Sequence, residues 1–366
     1  MKIAIIGTRG IPANYGGFET FAEEMSVRLA QRGHEVTVYC RSNNIKIKER
    51  VYRGVRLVVL PTISNKYLDT VIHTFIATLH MIFTPVQVAY FCNPINAAFT
   101  IIPRICGKKT IINVDGLEWR RTKWNVLART AHKASEYLAT ALPDVIVTDS
   151  HAVQDYYRKK FNKTTEYISY GADIKVRVPP GPVMEGFGLK ERGYLLYVSR
   201  LEPENNAHIL IKAYEKTKGD MPLVIVGDAP YNKKYINELK STRDSRIRFV
   251  GSIYGEGCSE LMSNAFAYIH GNQVGGTNPA LLQAMASGNC VIVNGVDFNK
   301  EVIDDCGLWF KPNDPEDLKN KIEYLFDNPQ EAERYRKAAV ERVSIYYNWD
   351  AVVDKTEELM KRLLSC

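Results

Sequence analysis

The apolar positions of the chain fall into two alternating kinds of run. Short β-rich runs come at "KIAII" (2–6), "EVTVY" (35–39), "VRLVVL" (55–60), "VQVAYF" (86–91), "KTIINV" (109–114) and "DVIVTDS" (144–150). Amphipathic segments lie between several of them, such as Thr20 to Arg32, where apolar residues recur at helical spacing. Strand and helix alternating in this way predict an α/β fold with a parallel sheet covered on both faces. Around residues 176–192 the chain is rich in proline and glycine, which predicts an interdomain linker. The rhythm then restarts with "YLLYVSR" (194–200), "PLVIVGD" (222–228), "RIRFVGS" (246–252), "AYIHGN" (267–272) and "NCVIVN" (289–294). Two doubly wound domains joined by a linker are expected to leave a cleft at the carboxyl ends of their strands. The last segment, roughly 330–366, reads as helical and charged, with no strand after it.

Composition supports a globular chain. Of 366 residues, 45% are hydrophobic and 24% charged, and the length suggests about two domains. Seven scattered cysteines without a C-x-x-C pair argue against a disulfide framework or a zinc site, and for a reducing cytoplasm. The opening run enters a glycine turn directly, so it reads as a buried strand and not as a secretory signal. The most apolar window, Val71 to Phe91, is interrupted by His73, His80, Pro85 and Gln87, and reads as a helix followed by a strand rather than a membrane span. His73 and His80 read as packed or solvent-tipped side chains, not metal ligands. The net charge is +7, with basic clusters at "EWRRTKW" (118–124) and "YYRKKFNK" (156–163). These clusters fit a solvated basic face, or attraction to an anionic membrane surface or a phosphorylated partner. No nucleic-acid-binding signature is present.

Four stretches carry candidate chemistry. "GTRGIPANYGGFET" (7–20) follows the first strand, with glycines at 7, 10, 16 and 17. That spacing is not a dinucleotide fingerprint, which disfavours a nicotinamide dehydrogenase, but a long glycine loop can approach a ligand closely. In "VSRLEPENNAHIL" (198–210), Arg200 sits just past a strand end, where a guanidinium can grip a pyrophosphate with two parallel hydrogen bonds. A surface ion pair of Arg200 with Glu202 or Glu204 is the plainer alternative, and Asn205 or Asn206 can cap the next helix. In "GNQVGGTNPALLQAMASG" (271–288), Asn278 is a good N-cap, Pro279 suits the first helical position, and Gly288 suits the stop. The amides of Gly275, Gly276 and Thr277 can then converge ahead of a helix N-terminus, which attracts phosphate without side-chain charge. In "NVDGLEWRRTKW" (113–124), Asp115 and Glu118 stand beside Trp119, Arg120, Arg121, Lys123 and Trp124, a set able to hold a hydroxylated, anionic acceptor. The alternative is a helix N-cap by Asp115. No D-x-D occurs, so a carboxylate pair for a metal-nucleotide complex is not advertised.

Together these motifs resemble a retaining glycosyltransferase of the family 4 type, with the GT-B fold of two Rossmann-like domains facing a cleft. Within that family the chain is most similar to a bacterial rhamnosyltransferase-like group that carries "RGIPxxYGGFET", "NVDGLEW", "RLEPENN" and "GGTNPxLLEAMA". Here these stand at 9–20, 113–119, 200–206 and 275–286. The resemblance implies an acceptor-binding domain at 1–178, a nucleotide-sugar-binding domain at 179–345, and a helix at 346–366 that packs back on the first domain. It implies Asp115, Arg200 and Glu204 as catalytic candidates. For the donor it implies Gly16, Gly17, Arg200, Asn205, Gly251, Ile253, Gly275, Gly276, Thr277, Asn278 and Gln283. For the acceptor it implies Glu19, Glu118, Trp119 and Arg120. No metal and no cofactor are implied.

The sequence departs from the family pattern at two places. Family 4 enzymes usually carry a Lys five residues after the phosphate Arg, where this chain has Asn205. They also carry two Glu with seven residues between them, where this chain has Gly275 and Gln283. Gln283 keeps one carbonyl acceptor for a ribose hydroxyl and loses the charge, which predicts weaker donor binding, a deoxyribose donor, or an inactive copy. The expected activity is transfer from a nucleotide-sugar, first dTDP-L-rhamnose, to a lipid-linked saccharide in cell-surface polysaccharide biosynthesis. The expected setting is cytoplasmic, peripheral at the inner face of the cell membrane. A nucleotide-sugar epimerase of the same fold and a non-catalytic nucleotide-sugar-binding protein remain open.

Overall fold

The computed structural model describes residues 1–13, 16–46, 49–65, 68–122, 124–174, 177–229 and 232–365. The chain divides into two compact units: Met1–Gly171 with Trp349–Cys366, and Ala172–Asn348.

The first unit is built on strands β1 (Lys2–Ile6), β2 (Glu35–Arg41), β3 (Val51–Tyr52), β4 (Val55–Leu60), β5 (Val88–Cys92), β6 (Lys109–Val114), β7 (Val145–Thr148) and β8 (Glu166–Tyr167). Their order is β3-β4-β2-β1-β5-β6-β7-β8. All neighbours pair in parallel except β3 and β4. That pair is a hairpin turned by Arg53 and Gly54, both at positive φ, as a two-residue turn of matching twist requires. The central strands are apolar throughout because both faces are covered. Between them run α1 (Gly17–Gln31), α2 (Asp69–Ile82), α3 (Ile101–Ile105), α4 (Val126–Ala139) and α5 (His151–Phe161). The apolar window from Val71 to Phe91 resolves into α2 and β5. No helix among the described residues is long and apolar enough to cross a membrane.

The second unit has α6 (Pro182–Gly186), β9 (Leu195–Val198), α7 (Ala207–Tyr214), β10 (Leu223–Val226), α8 (Lys233–Leu239), β11 (Ile247–Gly251), α9 (Gly255–Asn264) and β12 (Ala267–His270). It continues with α10 (Pro279–Ala286), β13 (Cys290–Asn294), α11 (Asp297–Ile303), β14 (Leu308–Phe310), α12 (Pro315–Asp327) and α13 (Pro329–Tyr346). Its sheet is wholly parallel, in the order β11-β10-β9-β12-β13-β14.

The stretch read as a linker is partly structured. Glu260 of α9 accepts hydrogen bonds from the amides of Gly181 (2.9 Å) and Met184 (2.8 Å), so it caps α6 from a distant part of the chain. Met184 is buried, and Pro182 serves as the first helical residue rather than a breaker. The contacts accordingly put the division at Gly171/Ala172, seven residues before the expected 178.

The chain then returns to the first unit as α14 (Trp349–Ser365), which packs on α1. Trp349 is buried, with its ring 6.4 Å from that of Phe21. Arg32 pairs with Asp354 (2.5 Å) and Glu357 (3.0 Å).

Candidate functional site

In the second unit the strand order reverses between β9 and β12, because the chain runs from β9 to β10 and β11 on one side and then crosses back. The loops after the carboxyl ends of β9 and β12 therefore flank a switch point, the usual ligand crevice of an open α/β sheet. Arg200 lies two residues past β9 and is exposed. The following turn is buried at Glu204, Asn205 and Asn206. Tyr197 Oη donates to the Asn205 carbonyl at 2.8 Å. The Gln273 amide donates to the Glu204 carbonyl at 3.0 Å. Asn206 Nδ2 donates to the Gly271 carbonyl at 2.9 Å and to Asn313 Oδ1 at 2.7 Å, and Asn294 Nδ2 also reaches the Gly271 carbonyl at 3.1 Å. These bonds stitch the loop after β9 to the loop after β12. A Cβ on Gly271 would stand 2.4 Å from the Asn205 carbonyl oxygen, so the two backbones touch.

One expectation changes here. Asn206 occupies the N-cap position of α7, but its side chain makes no cap hydrogen bond; it is committed to Gly271 and Asn313. Asn205 turns inward, its Nδ2 donating to the Arg200 carbonyl at 2.8 Å. Glu204 is 1% exposed, so it sits inside the loop rather than on the surface.

The loop after β12 matches its sequence reading closely. Asn278 Oδ1 accepts from the Ala280 amide at 2.9 Å, Pro279 opens α10, and Gly288, at φ +72°, follows its last turn. Gly275 is at φ +148° and Thr277 is buried. The Gly275 and Gly276 amides donate no hydrogen bond among the described residues, which leaves them available ahead of the α10 N-terminus. Gln283 lies one turn into α10, half-buried. Gly251 ends the edge strand β11 and Ile253 follows it, two strands and so about 10 Å from β9.

The first unit repeats the arrangement at β1 and β5. A Cβ on Gly7 would meet the Cys92 carbonyl oxygen at 2.4 Å, so the glycine loop starts hard against the end of β5. The loop is held from α1. Glu19 Oε1 accepts from the Arg9 amide at 2.9 Å, and Glu23 Oε2 from the Ala13 amide at 2.6 Å. Glu19 is buried where it holds the loop. Gly16 is the N-cap residue of α1 and Gly17 its first residue; Asn14 and Tyr15 lie outside the described residues.

Asp115 follows β6 and is half-buried. It does not cap the short 3-10 turn Glu118–Arg120, whose N-cap is Leu117. Burial drives the Cys92 thiol well above its usual range, and the charges of Glu19 and Asp115 add to the shift, so these three groups share one neighbourhood. Asp149, just past β7, is fully buried, and its charge acts together with that of Asp115 on Tyr170, whose hydroxyl burial already pushes up. Sequence reasoning missed Asp149, although "TDS" repeats the strand-end acid of "VDG". Glu118 is paired with Arg121 at 2.5 Å. Trp119 has the Arg120 guanidinium at 5.3 Å and the Lys133 ammonium at 4.7 Å over its ring. Lys123 lies outside the described residues. His73 is packed: it is buried against the Cys40 carbonyl at 3.0 Å, and burial lowers its pKa to about 4. His80 reaches Tyr39 Oη at 3.0 Å.

Residues 185–342 match the family model described as Glycosyl transferases group 1. That match lies within the second unit. Residues 1–173 match a domain of unknown function, DUF1972. O-antigen chain mannosyltransferase B of Escherichia coli is 29% identical over 147 residues, a match spanning 38% of this chain and 39% of that protein. Among solved structures, sucrose-phosphate synthase from Thermosynechococcus elongatus superposes with a TM-score of 0.84 at 19% identity, covering 100% of this chain and 99% of that one. Anabaena HepE in complex with UDP-glucose superposes with a TM-score of 0.81 at 17% identity, covering 99% and 100%. These likenesses are of fold: two α/β domains with parallel sheets, as in GT-B glycosyltransferases. The group 1 match covers the β9 and β12 loops, with Arg200 and Gly275 to Gln283 inside it.

Proposed function

We propose that the chain is a glycosyltransferase that moves a sugar from a nucleotide-sugar donor to a hydroxyl of a lipid-linked saccharide, with retention of configuration and without a metal. The observation that supports this reading is that Arg200 follows β9 and the Gly275 and Gly276 amides precede α10, in the two loops that flank the β9/β12 switch point, within the stretch that matches the glycosyl transferases group 1 model. A guanidinium and free amides at a helix start fit a diphosphate and stabilise it as it leaves. Thr277 and Asn278 would shape that loop, and Gln283 would accept one hydrogen bond from the donor ribose. Gly251 and Ile253 would border the base. Glu204 and Asn205 hold the Arg200 loop from behind. In the first unit Asp115 would orient or deprotonate the acceptor hydroxyl. Glu118, Trp119 and Arg120 would bind the acceptor, while Gly16 and Gly17 would line the donor phosphates. In the reaction the bond from the sugar anomeric carbon to the diphosphate oxygen breaks. A bond to the acceptor oxygen forms, and the hydroxyl proton leaves to Asp115 or the diphosphate.

The motif resemblance makes dTDP-L-rhamnose the first donor to try. The O-antigen mannosyltransferase relative makes GDP-mannose the second. The test incubates the full chain with labelled nucleotide sugars and a short-chain lipid-diphosphate saccharide. Label is expected in the lipid product, with Asp115→Asn lowering kcat by about a hundredfold or more at an unchanged melting temperature. Donor consumption without acceptor would point to an epimerase. Binding without turnover would point to a non-catalytic sugar-nucleotide protein.

A further inference from the structure

Asp149 has no task in the reaction as proposed, yet its place in the sheet is specific. Strands β6 and β7 pair in parallel with Val114 opposite Thr148. The next residues in that register are Asp115 and Asp149, one strand spacing or about 4.8 Å apart at the backbone. Strand alternation gives both acids the face of Asn113 and Val147. The opposite face, with Ile112, Val114 and Ile146, belongs to the apolar core. Asp149 is fully buried and Asp115 half-buried. Capping does not account for Asp149, because Ser150 caps α5, its side chain accepting from the Val153 amide at 3.3 Å.

The face that holds the two acids is polar beneath α1. Asn113 Nδ2 donates to Tyr90 Oη at 3.1 Å, and the rings of Tyr90 and Tyr170 pack on Phe21 at 5.5 Å and 5.4 Å. The Tyr170 hydroxyl and Asn113 Oδ1 are buried with no hydrogen-bond partner among the described residues. Burial drives the Tyr170 hydroxyl well above its usual range, and the charges of Asp115 and Asp149 add to the shift, so Tyr170 keeps its proton close to both acids. The other titratable groups around the pair are Tyr90 and Cys92 of β5, Tyr157 of α5, and Glu19 of α1, whose carboxylate accepts from the Arg9 amide. Arg28 of α1 lies over the Trp349 ring and pairs with Glu24.

Two carboxylates side by side repel each other when both are charged, so each makes its neighbour hold a proton more tightly. We propose that Asp149 is a positioning residue: its buried carboxylate stands beside that of Asp115 and strengthens Asp115 as the base for the acceptor hydroxyl. The proposal rests on the transfer reading given above. In the step, the acceptor O–H bond breaks and its proton bonds to an Asp115 carboxylate oxygen. The acceptor oxygen bonds to the anomeric carbon, and the diphosphate leaves with the electron pair of the old C–O bond. Asp149 neither gains nor loses a proton.

The experiment is a pH titration of the full chain, isotope-labelled at the aspartate side-chain carboxyl carbons and followed by NMR, in wild type, Asp115→Asn and Asp149→Asn. The signal lost in each variant identifies its residue. In wild type the Asp115 signal is expected to move in two steps, as interacting carboxyls do. In Asp149→Asn it is expected to move in one step, with a midpoint lower by about one pH unit or more. The acid limb of kcat/KM in the transfer assay should move down with it, while KM for the acceptor holds. A merely structural Asp149 would change the melting temperature or KM and leave both midpoints where they were. The wild-type curve needs neither a folded variant nor a sugar, so failure of the proposal and failure of the transfer reading are separable. A one-step wild-type curve for Asp115, an unmoved Asp115 midpoint in Asp149→Asn, or an acid limb that stays in place would overturn the proposal.

Discussion

A methyl group on Gly227 would sit 1.8 Å from the Ser199 carbonyl oxygen, at a φ of +146°. Gly227 follows β10, and Ser199 precedes Arg200, so this contact sets how closely the loops after β9 and β10 gather. Gly227→Ala is expected to cost more than about 2 kcal/mol, through strain at a special φ together with a backbone clash. Urea unfolding of the purified variant would measure it, and a loss under half a kcal/mol (roughly the scatter of neutral surface changes) would show that the loops can part without penalty. Residue chemistry was legible in the sequence where it is local. Asn278, Pro279 and Gly288 delimit α10 through bonds within their own turn, and a reader of the sequence needs nothing else. Asn206 was misread because its partner, the Gly271 carbonyl, is 65 residues away. Nor does anything in "GGFET" show that the Glu19 carboxylate folds back onto the Arg9 amide.

At the scale of elements, one carboxylate of α14 gathers three cationic partners, two of them at the end of α1 and just past it. Glu357 lies 2.5 Å from Lys361, 3.0 Å from Arg32 and 3.2 Å from His34. Its pKa falls from the usual 4.5 to about 2, chiefly through the hydrogen bond from Lys361, against the effect of burial and with help from Arg32 and His34. A depressed carboxyl pKa stabilises the folded state fully above its unfolded value, and that stability is lost as pH falls through the folded one. The α1–α14 contact is therefore expected to weaken between about pH 4.5 and 2. Glu357→Gln should be less stable than wild type at neutral pH and should flatten that part of the acid-unfolding curve. Parallel curves for the two proteins would contradict this. The long strands were readable from their apolar runs, whereas β3, with two residues, and β14, with three, are too short to carry a pattern. The segment around α6 misled because proline and glycine serve a helix start as readily as a linker.

For the whole molecule, the decisive feature is that the chain leaves the first unit at Gly171 and re-enters it at Trp349. The two residues touch: a Cβ on Gly171 would fall 2.8 Å from the Trp349 ring. Arg28 of α1 covers that ring at 5.8 Å. Trp349→Ala is expected to destabilise the first unit by about 3–5 kcal/mol, the usual cost of emptying a large aromatic site. Chemical denaturation followed by circular dichroism would read it. The alternation of strands and helices announced two sheets from sequence alone, but this return contact joins positions nearly 180 residues apart and leaves no local trace.

The central claim is that Arg200, with the amides ahead of α10, holds the diphosphate of a nucleotide-sugar. Calorimetric titration of the preferred nucleotide-sugar into wild type, Arg200→Ala and Asp115→Asn tests it most directly. The account predicts binding by wild type, affinity weakened by about tenfold or more in Arg200→Ala, and affinity near wild type in Asp115→Asn. Wild-type affinity in Arg200→Ala, or no heat from any nucleotide-sugar with the wild-type chain, would contradict it.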